Sequence, residues 1–210
     1  MKLLDKIDHI VFCAPTLESG IDYILKHTGI KATYGGRHLS RGTHNAIFKL
    51  GNHSYFEILA PDPENKGIPP PRWMGVDLIE KPRITRWAIK SDTIERDAEV
   101  LSNYKSEYGD VQSGSRALKD GSLLSWQLTD PLTKPKIEVV PFLLDWQKSK
   151  HPTTTLPDTC KLKAIRLEHP DPEVVEKVTS ALDLDILISP SDHSRIIVTI
   201  ETPNGTIELS

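Results

Sequence analysis

The sequence has few cysteines and no long apolar run. Cys13 and Cys160 are its only two cysteines. The first residues lack the apolar region of a secretory signal, so we expect a cytoplasmic protein with both thiols free. No apolar stretch approaches the roughly 20 residues that a membrane-spanning helix needs. These absences argue against a disulfide scaffold and against a helical membrane protein.

The chain also lacks a strong charge of either sign. Its formal net charge is -3 and no run of basic residues occurs, so neither nucleic acid nor a membrane surface is an expected partner. There is no CxxC, HExxH or GxSxG motif, which leaves zinc-ribbon, zincin and hydrolase chemistry without support. The remaining expectation is an ordinary globular protein.

What is present is a strand–helix–three-strand pattern. The apolar, β-branched run at 6–12 predicts a strand that carries His9, and Thr16 and Gly29 are the expected cap residues of the helix that follows. Three further strands are predicted at 30–34, 46–50 and 55–59. Because residues two apart in a strand share a face, His9 faces the same side as Ile7 and Val11.

The same order of elements recurs further along the chain. A second unit is predicted with strands at 84–89, 111–118, 123–128 and 136–140 and a helix that starts near Thr93. Aligning the two units places Arg86 at the position of His9, and Glu138 at the position of Glu57. The proline-rich stretch at 61–83 links the units. Trp73 within it either pins this crossing onto the core or faces a substrate.

A shorter third copy is predicted at the end of the chain. Its first strand starts at Lys163, and Asp171 followed by Pro172 is a strong helix start. Ala164 takes the place of His9 and Glu208 that of Glu57, where exposure to solvent is the favoured interpretation. We therefore divide the chain into a domain at 1–147, with modules at about 4–60 and 84–143, and a partial third module at 148–210. The third module is also a possible homodimer interface.

Several short motifs carry a family resemblance. They are Gly35–Gly36–Arg37–His38, Gly42–Thr43–His44–Asn45, Leu50–Gly51 and Tyr55–Phe56–Glu57–Ile58. Together with the paired units, they resemble the glyoxalase-like domain family of the vicinal oxygen chelate superfamily. The resemblance implies an α+β fold in which paired βαβββ modules form an open, barrel-like mixed sheet around a cavity.

The resemblance also implies a metal site. Carried over to this chain, the ligands are His9, Glu57 and Glu138, and the fourth place holds Arg86, which cannot ligate. A histidine with two carboxylates suits Mn, Fe, Ni or Zn. The implied activity is a metal-dependent isomerase, lyase or dioxygenase acting on a substrate with two vicinal oxygens, with Glu138 or His44 as the base.

Two alternatives to a metal enzyme stay open. The strands can alternate the other way, so that Glu57 and Glu138 point to solvent. The chain can also be a metal-free binding or sequestration protein, with Arg86 and Arg37 gripping an anion.

The loop after Gly36 is rich in hydrogen-bond donors. Arg37, His38, His44 and Asn45 either grip a substrate oxygen or belong to a loop that satisfies its own backbone. The remaining histidines are interpreted as surface or turn residues: His27, His53, His151, His169 and His193.

Overall fold

The two predicted modules form as expected. A computed structural model describes residues 2–51, 53–117 and 123–210. The first module follows a single helical turn, α1 (Leu3–Lys6), and consists of β1 (Ile7–Cys13), α2 (Leu17–Thr28), β2 (Thr33–His38), β3 (Thr43–Lys49) and β4 (Tyr55–Pro61). The second consists of β5 (Arg83–Lys90), α3 (Ile94–Tyr104), β6 (Val111–Ala117), β7 (Leu123–Thr129) and β8 (Phe142–Asp145).

Both modules contribute to one eight-stranded sheet. Its strand order is β2-β3-β4-β1-β5-β8-β7-β6. In each module the first strand pairs in parallel with the last, as β1 with β4 and β5 with β8. The antiparallel pair of β1 and β5 joins the two halves. The curled mixed sheet of an α+β protein is therefore confirmed, and its centre is formed by the strands that carry His9 and Arg86.

The third unit keeps the predicted order of elements but pairs its strands differently. It contains β9 (Lys161–His169), α4 (Pro172–Ala181), β10 (Leu187–Pro190), β11 (Arg195–Thr202) and β12 (Gly205–Leu209). The sheet order is β10-β9-β11-β12, because α4 returns the chain in parallel beside β9. Glu208 lies on the edge strand β12, where its exposed carboxylate pairs with Arg166. It is a surface residue.

The outer face of the large sheet is covered by α2, α3 and the third unit. Ile10 and Phe56 of the large sheet share one apolar core with Leu167 and Val198 of the small sheet. The backbone also joins the two parts, because the Leu162 amide donates to the Leu50 carbonyl. The inner face remains available for a cavity. None of the helices in the described segments combines the length and the apolar character that a membrane crossing requires.

The strand predicted at 136–140 is wrong, because β8 begins only after Pro141. The segment that precedes it is held as a loop by side chains of β5. Arg86 donates to the carbonyls of Pro135 and Lys136, and the Trp87 indole donates to the carbonyl of Val139, at 2.7 Å. These carbonyls are therefore occupied by side chains and do not form a strand ladder.

Candidate functional site

A cavity opens on the inner face of the large sheet, with an empty volume of about 490 Å³ when the solvent at its mouth is included. Alternation along β3 and β4 places Asn45 and Glu57 in its wall, whereas Ala46 and Phe56 point to the outer core. Trp73, from the crossing between the modules, lines it as well. Most of the wall is aromatic or aliphatic, and the few polar groups are concentrated around His9.

His9 is held by its own neighbour in the chain. The pairing of β1 with β5 shifts register between Ile7 and His9, and the Asp8 carboxylate lies against the His9 ring. His9 Nδ1 donates to Asp8 Oδ1 at 2.7 Å. This bond orients the ring so that Nε2 is the nitrogen available to the cavity. Tyr55 stacks on the ring at 4.6 Å and Phe142 meets it edge-on at 5.2 Å.

Glu57 lies next to the free nitrogen of His9. Its Oε2 atom is 3.7 Å from His9 Nε2, and its Oε1 atom accepts a hydrogen bond from Asn45 Nδ2 at 2.6 Å. The three residues are each 5% exposed or less. The cavity wall therefore carries two groups that can exchange a proton, side by side in a mainly apolar environment.

Sequence reasoning missed His151, which belongs to this network. Its Nε2 atom lies 3.2 Å from Asp8 Oδ2, and the Trp146 indole donates to the same oxygen at 2.9 Å. Burial alone would raise the pKa of Asp8, but the hydrogen bonds from His151 and His9 outweigh it and hold that pKa far below its usual range. The sequence gives little indication of this role, because His151 is a single histidine before Pro152 in a segment without a periodic pattern.

Glu138 does not join His9 and Glu57. It lines a separate cavity of about 240 Å³, where its carboxylate accepts from the Tyr108 hydroxyl at 2.6 Å and from the Val140 amide at 2.9 Å. Burial and the neighbouring carboxylate raise the pKa of Tyr108. The expectation that Glu138 shares a site with His9 is therefore not met, because the segment that carries it is a loop behind β5.

The implied metal does not fit this arrangement as a three-ligand site. His9 Nε2 and Glu57 Oε2 are two potential donors, whereas a facial triad needs three. Across residues 2–51, 53–117 and 123–210, no three His, Cys, Asp or Glu side chains come together as a metal-binding group. We therefore derive no catalytic step through a metal ion.

Arg86 is a structural residue in this fold. It is 1% exposed, and its guanidinium donates to the carbonyls of Pro131, Thr85, Lys136 and Pro135. Burial lowers its pKa. Because most of its donors are already used by the backbone, this side chain does not serve as the predicted anion clamp.

The residues predicted to form a loop lie instead at the paired ends of β2 and β3, and they divide between the two faces of the sheet. His38 and Asn45 line the cavity. Arg37 instead pairs with Asp62 at 2.5 Å and with Glu64 at 2.9 Å. His44 lies one position before Asn45 and so takes the outer face with Ala46.

Trp73 lines the cavity, which favours the substrate-facing interpretation. Its indole N–H is buried and has no hydrogen-bond partner among the residues that the structure describes.

The two cysteines are buried, and burial raises the pKa of each thiol to about 12, so neither is a nucleophile.

Comparison with known proteins agrees with this architecture. The sequence profile described as the glyoxalase-like domain matches residues 7–182, and paired βαβββ modules around a cavity define the vicinal oxygen chelate fold. The chain belongs to the glyoxalase-like domain family. No curated protein matches the chain significantly.

The solved structures that are similar to this chain have low sequence identity to it. A hypothetical protein from Staphylococcus aureus is 19% identical, with a TM-score of 0.60 over 97% of this chain and 84% of its own. Methylmalonyl-CoA epimerase from Mycobacterium tuberculosis is 16% identical, with a TM-score of 0.41 over 69% and 90%. The Streptomyces coelicolor methylmalonyl-CoA epimerase, solved with 2-nitronate-propionyl-CoA, is 14% identical, with a TM-score of 0.42 over 70% and 98%.

Proposed function

We propose that the protein is an enzyme that moves a proton on a small carbonyl compound, as in an isomerisation or epimerisation. One observation carries the proposal. The His9 imidazole is fixed by Asp8 at Nδ1, and it presents Nε2 to the cavity, 3.7 Å from Glu57 Oε2. A histidine whose tautomer is fixed by a buried carboxylate is well suited to act as a general base.

The chemistry needs no oxidant or reductant. His9 Nε2 takes a proton from the carbon next to the carbonyl. The electrons of that C–H bond form a C=C bond, and the π electrons of the carbonyl group move onto its oxygen. His9, or Glu57 after transfer between the two, returns the proton to the same carbon in an epimerisation. In an isomerisation the first carbon bears a hydroxyl, whose proton moves to the former carbonyl oxygen, and the proton from His9 or Glu57 goes to the former carbonyl carbon.

The apolar character of the cavity favours a second candidate, which is binding without turnover. Trp126 and Trp146 contribute large ring surfaces to the wall, and such surfaces alone give affinity for a small apolar molecule. This candidate predicts ligand binding that does not depend on the basicity of His9.

Proton exchange into solvent tests the proposal. The protein is incubated in D₂O with a panel of hydroxycarbonyl and 2-oxo compounds, and loss of C–H signal is followed by proton NMR. We expect exchange on at least one compound and a loss of about 10²-fold or more in His9→Gln and Glu57→Gln. The matched control is His193→Gln, because His193 is exposed and distant in sequence from the cavity residues.

Three outcomes contradict the proposal. The first is exchange that continues at an equal rate in folded His9→Gln. The second is exchange on no compound of the panel while ligands still bind, which is the result for a binding protein. The third is exchange that disappears with a chelator and returns with Mn, Fe, Ni or Zn, which would restore the metal-dependent mechanism.

A further inference from the structure

Carboxyl groups lie in the described part of the cavity wall and directly behind it. Glu57 lies in the wall, and the Asp8 carboxylate lies directly behind His9. Neither Lys nor Arg occurs among the described lining residues. Since a buried carboxylate is costly without a compensating charge, the site favours a ligand that brings a positive charge.

The arginines around the cavity are engaged elsewhere. Arg86 is used by backbone carbonyls, and Arg37 pairs with Asp62 and Glu64. Arg41 reaches across to Gln112 and lies 3.7 Å from a carboxylate oxygen of Asp130. An anionic substrate group would therefore meet Glu57 without a free guanidinium to balance it.

Aromatic rings surround the same space. Trp126 and Trp146 lie 5.6 Å apart between ring centroids, and Tyr55, Phe142 and Trp73 complete this side of the wall. The faces of tryptophan and tyrosine rings attract cations, more strongly where water is excluded. At the rim, the Arg41 guanidinium already stacks over the Trp73 ring at 5.2 Å.

From these observations we infer that the substrate is a small organic cation, a carbonyl compound that carries a methylated ammonium group. The inference rests on the proposed function, since it names the substrate class of the same site. The ammonium group lies among the rings beside Glu57, and the C–H to be broken lies at His9 Nε2. A positive charge near the carbonyl stabilises the enolate that forms when the proton leaves for His9.

The test compares three probes of nearly equal shape by isothermal titration. They are choline, its neutral carbon analogue 3,3-dimethylbutan-1-ol, and the anion 3,3-dimethylbutanoate. We expect choline to bind about tenfold more tightly than the neutral alcohol, because cation–π contacts and the carboxylate act only on the charged probe. We expect no binding of the anion.

Variants separate the two contributions. Glu57→Gln should remove most of the preference for choline and leave the affinity of the neutral alcohol nearly unchanged, since the two side chains have the same shape. Trp126→Leu should weaken choline more than the alcohol. Tyr34→Leu is the control, because Tyr34 is 56% exposed and outside the cavity wall.

The inference is overturned if choline fails to bind, if the neutral alcohol binds equally well, or if the anion is preferred. It is also overturned if Glu57→Gln keeps the full preference. These failures differ from failure of the proposed function. If the protein binds cations but exchanges protons on no cationic carbonyl compound, the proposed enzymatic function is rejected and the ligand class is kept. If it exchanges protons on neutral compounds alone, the enzymatic function is kept and the ligand class is rejected.

Discussion

His9 Nδ1 lies 2.7 Å from Oδ1 of Asp8, the residue directly before it in the chain. Neighbouring side chains in a regular strand point to opposite faces, and the register shift between Ile7 and His9 accompanies this exception. The proposed acid–base residue and the group that orients it therefore occupy consecutive positions in the sequence.

Asp8→Asn tests this orientation. An amide can donate to His9 Nδ1 as well as accept from it, so the tautomer of the ring is no longer fixed and Nε2 is no longer reliably the basic nitrogen. We expect proton exchange to fall by about 10²-fold or more. Nitrogen NMR of His9 should show a mixture of tautomers, and an unchanged tautomer with full activity would contradict the assigned role.

His151 supports Asp8 from outside the two modules. His151→Phe removes a donor from a fully buried carboxylate, and we expect the free energy of unfolding to fall by about 1–3 kcal/mol, measured by urea denaturation. His151→Gln keeps an N–H for this contact and should lose less. The control is His193→Phe at an exposed position. Equal losses in the Phe and Gln variants would show that packing, and not the hydrogen bond, matters here.

Arg86 should contribute to stability and not to ligand charge recognition. Arg86→Met leaves several buried carbonyls unpaired, among them that of Pro135, and we expect a loss of about 3 kcal/mol or more in unfolding free energy. Arg166→Met removes a more exposed ion pair with Glu208 and should cost about 1 kcal/mol or less. A stable Arg86→Met protein with lost anion binding would restore the clamp hypothesis.

Acid should destabilise the fold partly through Asp8. Its pKa is lowered in the folded protein, so the unfolded chain binds more protons once the pH falls toward the ordinary value of 3.8. The stability that Asp8 contributes is fully present above that pH and is lost as the pH falls toward the lower folded value. Unfolding free energies measured between about pH 6 and pH 2 should show a steeper decline for the native chain than for Asp8→Asn.

Much of the fold was predictable from the sequence, because strand and helix periods with Thr16, Gly29 and Asp171 mark the elements locally. The strand pairing within the third unit could not be predicted, because the same order of elements allows either β10 or the last strand, β12, to pair in parallel with β9. The strand expected at 136–140 failed for a related reason: side chains of Arg86 and Trp87, distant in sequence, take the hydrogen bonds that a ladder would need.

The site was predictable where alternation within a strand decides the face. This reasoning places His9 on the face of Val11, and the motif residues Asn45 and Glu57 also lie at the cavity. It is wrong for Ile7, which packs in the outer core because β1 is irregular between Ile7 and His9. Strand alternation could not predict the position of Glu138, because this residue lies in the loop before β8 and its side chain enters a different cavity. It could not show His151 either, since an isolated histidine in an irregular segment carries no periodic signal.

Through the contact between His151 and Asp8, the candidate site depends on a segment that contributes no strand to the large sheet. A minimal version cut after Asp145 would keep every strand of that sheet, yet it would open the buried carboxylate to water and lose the tryptophan at position 146. A shorter version of this chain must therefore retain Trp146 and His151 or replace both donors, and it must also keep the third unit that covers the outer core.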